Sequence, residues 1–338
     1  MTQGRRTTRG LVLGGGGVLG GAWMVGALAA LQDVHGFDVR DCDVIVGTSV
    51  GSIIGALLGA GVSVDQMLDH QRGQPITDGP LAGYSFNYEK ATGGSRPRRP
   101  RLLGPGSARM IMSGIGNARK MPPTAVISGF VPAGKGSLAR VGHLVDAITP
   151  MDEWSPHPNY WAVTMDYETG RRVAFGKPSE PVAPLAKAVM ASCSIPGWFE
   201  PIEIEGRSYV DGGTWSATNA DLLSAMSLDE VYVVAPMVSF HYDRPRSLLT
   251  RLERRWRVQV TKRCLTEAAK VHRSGTEVTI LGPGPEDLEA MGANLMDVRR
   301  RPFVLETSLH TSVAALTEPG QYSDEESATE PSQRLSVS

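Results

Sequence analysis

The residues best equipped for chemistry lie at Gly47-Thr48-Ser49-Val50-Gly51, a G-x-S-x-G pattern. Val44-Ile45-Val46 precedes it and Ser52-Ile53-Ile54-Gly55-Ala56-Leu57-Leu58 follows, so the spacing predicts a strand, a sharp turn and a helix. Glycines two residues either side of a serine let neighbouring backbone pass close to a strained turn, which exposes the hydroxyl at a helix N-terminus as a nucleophile. Ser49 has a blander alternative as a helix N-cap. The run from Val44 to Val64 is also uncharged and long enough for a membrane span, but its glycines, serines and threonine make it weakly apolar and Asp43 and Asp65 abut its ends.

Upstream, Leu11-Val12-Leu13 leads into Gly14-Gly15-Gly16-Gly17-Val18-Leu19-Gly20 and then the apolar stretch Ala22 to Leu31, again strand, loop and helix. Consecutive glycines at a helix start aim several N–H groups at one point, where the helix dipole favours negative charge. Three readings compete. Gly15, Gly17 and Gly20 satisfy G-x-G-x-x-G, but Asp38, Asp41 and Asp43 precede the next strand instead of ending it, as a dinucleotide site requires. Arg5, Arg6 and Arg9 before an uncharged stretch suggest a signal peptide, for which the stretch is too glycine-rich. An oxyanion loop serving Ser49 uses both motifs at once.

Taken with Ala191-Ser192-Cys193-Ser194-Ile195-Pro196-Gly197-Trp198-Phe199 and Asp211-Gly212-Gly213, in this order, the chain resembles the patatin-like phospholipases over most of residues 10 to 235. The resemblance implies an α/β fold, a three-layer α/β/α sandwich around a mostly parallel sheet, and a Ser-Asp dyad in place of a Ser-His-Asp triad. By resemblance Ser49 is the nucleophile, Asp211 the base, and Gly15, Gly16 and Gly17 the oxyanion donors; Gly20, Gly47, Gly51, Gly212 and Gly213 complete the motifs. Many members carry Arg or Lys where this chain has Leu19, which would leave oxyanion stabilisation to backbone dipoles. On residue type alone, Asp211 before two glycines is equally a turn residue. A triad would need a histidine after the acid; His241, His272 and His310 follow, none in a distinctive loop. A carboxylate acting alone must be partly desolvated, which raises its pKa toward working pH.

Composition bounds the rest. The 338 residues are 41% hydrophobic and 20% charged, enough for a sizeable core. Cys42, Cys193 and Cys264 form no metal or disulfide spacing, so neither metal nor cofactor is expected. Residues 91 to 140 hold nine basic residues and no acid, with Arg96, Arg98, Arg99 and Arg101 among prolines and glycines, then Met110, Ile111, Met112, Ile115 and Met121. Two readings stay open for this segment: solvated loop with packed helix, or a cap touching anionic lipid. Leu248, Leu252, Trp256, Val260 and Cys264 recur every four residues among basic positions, predicting a basic amphipathic helix. Without aromatic interleaving the charge argues against nucleic acid. Gly129 to Gly136 nearly forms a P-loop, but Gly136 stands where Ser or Thr should bind Mg²⁺.

Strands are expected at Tyr160 to Met165, Arg172 to Phe175 and Glu230 to Ala235, and helices at Leu185 to Ser192 and from Ser137. The expected organisation is a flexible stretch 1–9, one acyl hydrolase domain 10–316 with 91–123 as basic loop or cap, and a disordered acidic tail 317–338. The implied protein is a cytoplasmic or peripherally membrane-bound acyl hydrolase acting on phospholipid, lysophospholipid or glyceride esters. A catalytically weak lipid-binding protein and a dinucleotide-binding enzyme are the alternatives.

Overall fold

Among the described residues the chain forms nine strands: β1 (Arg9–Leu13), β2 (Val44–Thr48), β3 (Tyr160–Asp166), β4 (Arg172–Phe175), β5 (Ile202–Ile204), β6 (Arg207–Asp211), β7 (Glu230–Val234), β8 (Glu277–Leu281) and β9 (Ser336–Val337). The computed structural model describes residues 5–86, 107, 110, 121–240, 247–317 and 336–337. β3, β2, β1, β7, β8 and β9 are neighbours in that order and pair in parallel, while β4 and β6 run antiparallel to β3 and β5 antiparallel to β6.

Alternation along the strands builds the layers. Leu11, Leu13, Ile45, Tyr232 and Val234 join one apolar cluster; Val12, Val44, Val46, Val231 and Val233 join another on the opposite face. The helices are α1 (Gly17–His35), α2 (Val50–Gly59), α3 (Val64–Gln71), α4 (Pro123–Phe130), α5 (Ala139–Asp146), α6 (Leu185–Ser192), α7 (Leu248–His272), α8 (Pro285–Met291) and α9 (Arg301–Thr317). Side chains of α1, α2, α5 and α6 fill the first cluster, and Val260, Cys264, Ala268 and Val271 of α7 fill the second. The result is the three-layer α/β/α sandwich. α1 has the length and composition to cross a membrane, but most of it is buried inside this domain, and α9 packs along it.

One register matters for chemistry. β2 pairs with β3 up to Thr48 opposite Val163, and β6 pairs with β3 from Asp211 opposite Thr164. β4 spans Ala162 to Met165 and so overlaps both, which places it on the other edge of β3. β2 and β6 therefore share one edge, arriving from opposite directions, and their C-terminal ends meet. The residue after Thr48 is Ser49.

Helix α7 departs from the expected face. Leu248, Leu252 and Trp256 are exposed, while Val260 and Cys264 are buried. Four residues advance a helix by about 40° beyond a full turn, so a strict four-residue repeat winds around it. The buried face is instead Arg257, Val260, Thr261, Cys264, Glu267, Ala268 and Val271, whose spacing averages closer to 3.6.

Residues 5–9, expected to be flexible, are tied down. The Thr8 N–H and hydroxyl donate to Asp229 at 2.7 and 2.8 Å, Arg6 pairs with Asp43, and Arg9 pairs with Glu230 at 2.7 Å. Met110 and Met121 are buried in a cluster with Ala125, Met165, Tyr167 and Val210. Arg96, Arg98, Arg99, Arg101, Ile111, Met112, Ile115 and His241 lie outside the described residues, as does the tail from 318 to 335. Ser336 pairs with Thr279, so that part of the expected tail is a strand. Gly129 belongs to α4, so the near-P-loop follows a helix and not a strand.

The winding stripe of α7 has a measurable consequence. Leu248→Gln and Leu252→Gln should each stay within about 0.5 kcal/mol of the parent, whereas Val271→Ala should cost about 2 kcal/mol. Urea unfolding measures both, and equal losses at the three positions would contradict the assignment of faces.

Candidate active site

Ser49 occupies φ 55°, ψ −125°, a backbone region that costs a side-chain-bearing residue about 1–3 kcal/mol and persists only where the surroundings enforce it. They do. The Ser49 N–H donates to Ser192 Oγ at 2.9 Å, and the Ser192 hydroxyl donates to the Val163 carbonyl at 2.6 Å. The Ser49 carbonyl accepts from the Ser52 N–H at 2.8 Å and its hydroxyl at 2.7 Å. Gly51 lies against the carbonyls of Leu13 and Gly14 with no room for a Cβ, which is the close approach that its motif position requires.

Asp211 ends β6 with its N–H bonded to the Ser194 carbonyl at 2.9 Å. Its buried carboxylate accepts the Gly213 N–H at 2.6 Å, and the Ser49 hydroxyl lies near enough to act on its charge. Burial pushes its pKa up to about 7, against the opposing pull of Ser49 and the Gly213 N–H. A carboxylate so placed changes protonation near neutral pH. Among the histidines, His272 sits where α7 leads into the N-terminal end of β8, the end of the sheet away from Ser49, and its Nδ1 contacts the Thr276 carbonyl. His310 is exposed on α9.

The loop that follows Asp211 ties the three motifs together. The Ala217 carbonyl accepts the Gly15 N–H at 2.8 Å, and the Asn219 amide donates to Thr48 Oγ1 at 3.0 Å, directly beneath the elbow. Arg172 holds Asn219 Oδ1 at 3.2 Å and Asp221 at 2.6 Å. Neither Ser192 nor Asn219 is marked by its own residue type; each works through tertiary contacts.

The glycine loop sits against the nucleophile, since a Cβ built on Gly15 would lie 3.3 Å from Ser49 Cβ. Its donors differ from those expected. The Gly15 N–H is spent on Ala217, which removes it from the oxyanion set. Gly16 caps α1 and Gly17 begins it with φ +62°; neither N–H has a protein partner among the described residues, and Gly17 borders the cavity. The Val50 N–H at the start of α2 is likewise unpartnered and beside Ser49. The elbow motif itself points to this donor, the residue after the nucleophile. Leu19 is fully buried, its N–H bonded to the Leu295 carbonyl at 3.0 Å, and it does not line the cavity. A cation there would enter the core, so leucine removes no charge from the site.

Ser49 opens onto a cavity of about 130 Å³. Val50, Ile53, Ile54 and Leu57 line it at helical spacing along α2, so it extends about 10 Å from the nucleophile. Met67, Ile76, Leu81, Leu144 and Phe199 close most of the remaining wall with hydrocarbon, and His70 and Gln71 add polar atoms. All three cysteines are free and buried, with Cys193 at the cavity wall.

Because Gly51 touches backbone and no movable side chain, Gly51→Ala should cost at least about 3 kcal/mol and abolish any reactivity of Ser49. A calorimetric Tm within two degrees of the parent (a shift under about 1 kcal/mol) would remove the close approach from the elbow's support.

A family profile described as patatin-like phospholipase matches residues 11–224. No curated protein matches by sequence. Among solved structures, VipD from Legionella pneumophila aligns at a TM-score of 0.41 and 15% identity, over 93% of this chain and 67% of that one. The type III effector protein ExoU aligns at 0.35 and 17%, over 92% of this chain and 53% of that one. On the profile match, the chain belongs to the patatin-like phospholipase family, whose members are lipase-type ester hydrolases.

Proposed function

We propose that the protein is a serine acyl hydrolase that cleaves fatty-acyl esters through an acyl-enzyme on Ser49. The observation that carries this reading is the strained Ser49 elbow at the end of an apolar cavity, between the N-termini of α1 and α2, with the buried Asp211 carboxylate brought beside it by strand register. Asp211 takes the Ser49 proton as Oγ attacks the ester carbonyl. The N–H groups of Gly16, Gly17 and Val50, with two helix dipoles behind them, face the oxygen that gains charge. Asp211 passes its proton to the departing alkoxide, then draws one from a water that attacks the acyl carbon and returns it to Ser49 Oγ as the fatty acid leaves.

The mostly hydrocarbon wall fits an acyl chain better than a nucleotide base or ribose, so the glycine loop is assigned to the oxyanion and not to a pyrophosphate. Phospholipid, lysophospholipid and glyceride esters are the proposed substrates. A cytoplasmic protein touching anionic membrane through residues 91–140 is supported by charge alone.

Ser49→Ala should abolish hydrolysis of p-nitrophenyl butyrate and covalent labelling by a fluorophosphonate, with stability kept within about 1 kcal/mol. Labelling of wild type at any other residue, or retention of more than a few percent of turnover, would refute the nucleophile. Absence of labelling in wild type would favour a lipid-binding protein.

Asp211 must be deprotonated to act, so kcat/KM should fall below pH 7, be half-maximal near 7 and level off above it. Asp211→Asn should reduce turnover at least about a thousandfold. The same group opposes folding once ionised: its folded pKa lies above the unfolded 3.8, so stability declines from about pH 4 to 7 and is flat above. Asn removes that slope and should stabilise the fold at pH 8 by up to about 4 kcal/mol. Denaturation across pH reads this directly, and a variant less stable than wild type at pH 8 would contradict a desolvated carboxylate.

A further inference from the structure

Two charged side chains of α7 are almost completely buried without touching Ser49 or Asp211: Arg257 and Glu267, each 1% exposed. Burying a charge is costly unless its partners are fixed, so what each one holds is informative. The Arg257 guanidinium donates to the Pro236 carbonyl at 2.7 Å, pairs with Glu253, and rests against Met291 Sδ at 3.7 Å. The Pro236 ring in turn is the floor of the glycine loop. A Cβ on Gly16 would meet it at 2.6 Å, and one on Gly20 at 3.1 Å. Glu267 accepts from the Thr218 hydroxyl at 2.7 Å, the Ala220 N–H at 3.1 Å and Arg263 at 2.8 Å. Those bonds immobilise the segment whose Ala217 carbonyl receives the Gly15 N–H.

We propose that α7 is a positioning element for the oxyanion loop, with Arg257 and Glu267 as positioning residues that fix two of its supports, Pro236 and the 217–220 segment. This rests on the acyl hydrolase reading for its effect on catalysis. Glycine-rich backbone has more conformations available than any other. Four consecutive glycines at a helix start therefore hold aimed N–H groups only where outside contacts restrict them. The loop makes one backbone bond at Gly14 to Val234 and one at Gly15 to Ala217; past Gly15 it is restrained by the Pro236 ring at Gly16 and Gly20 and by Leu295 at Gly17 and Leu19. The planar fork of arginine holds the Pro236 carbonyl and Glu253 together, which lysine cannot do.

Arg257→Lys, Glu267→Gln and Pro236→Ala in the full chain test this, with Val271→Ala as control. Val271 lies on the same buried face of α7 and makes no hydrogen bond to Pro236 or the 217–220 segment with its side chain, so it separates lost stability from lost aim. With p-nitrophenyl butyrate, the three test variants should lose about 10- to 100-fold in kcat, the cost of misplacing a group by about 1 Å. Their KM should stay within twofold, because ground-state binding lies in the cavity and not in the loop. Val271→Ala should keep its kcat although it unfolds at lower denaturant.

A second readout does not depend on the reaction. Amide exchange of peptides covering residues 14–20 in the native protein should quicken in the three variants and not in Val271→Ala. Unchanged exchange and kcat in folded variants would overturn the proposal, as would equal kcat loss in Val271→Ala. Quickened exchange in the three variants of a protein whose wild type neither hydrolyses nor labels would keep the mechanical role and sink the acyl hydrolase reading instead. If Arg257→Lys fails to fold, Pro236→Ala, which removes a ring but no charge, decides the outcome alone.

Discussion

Every part of the site depends on one edge of β3. Two strands reach it from opposite ends, β2 stopping at Val163 and β6 at Thr164, so the nucleophile leaving β2 and the carboxylate ending β6 are neighbours through backbone pairing alone. Strand register is set along the whole sheet by which face each side chain must occupy. A one-residue slip of either strand would move each of its side chains to the opposite layer. The positions of Ser49 and Asp211 are therefore held by the cohesion of two apolar layers and not by contact between the two side chains.

That arrangement is what the proposed dyad uses in place of histidine. Asp211 is desolvated, with the Gly213 N–H and the Ser49 hydroxyl beside it, and its pKa is pushed up to about 7, where a carboxylate can both take and return a proton. The proposed oxyanion side relies on N–H dipoles at two helix starts in place of a cation. The loop from Asp211 to Ala220 couples the two sides. It carries the proposed base, supports the glycine loop through Ala217 and braces the elbow through Asn219, so a disturbance at one motif reaches the others.

Local patterns were read well where local physics governs. The hairpin of β3 and β4 around Gly170 and helix α6 stand within a residue or so of their expected places, because continuous apolar runs and turn chemistry are short-range. Helix α7 was read correctly as a helix and wrongly as to its face. Which side of a helix is buried depends on the cumulative rotation over its length, and a four-residue repeat that looks regular on the page turns through about 160° between Leu248 and Cys264.

By itself, the order of residues determined the two strand–loop–helix units, the strained serine between close glycines, and the absence of a distinctive histidine after the acid. These follow from side-chain size, backbone freedom and spacing within some ten residues. Only the tertiary structure decided that Gly15 gives its N–H to Ala217 and leaves Gly17 and Val50 to border the cavity. It alone decided that Leu19 points into the core, and that Asp211 meets Ser49 across 161 residues of intervening chain. A hydrogen-bond donor can be counted in a sequence. Whether it is already occupied depends on which distant carbonyl the packed sheet brings to it.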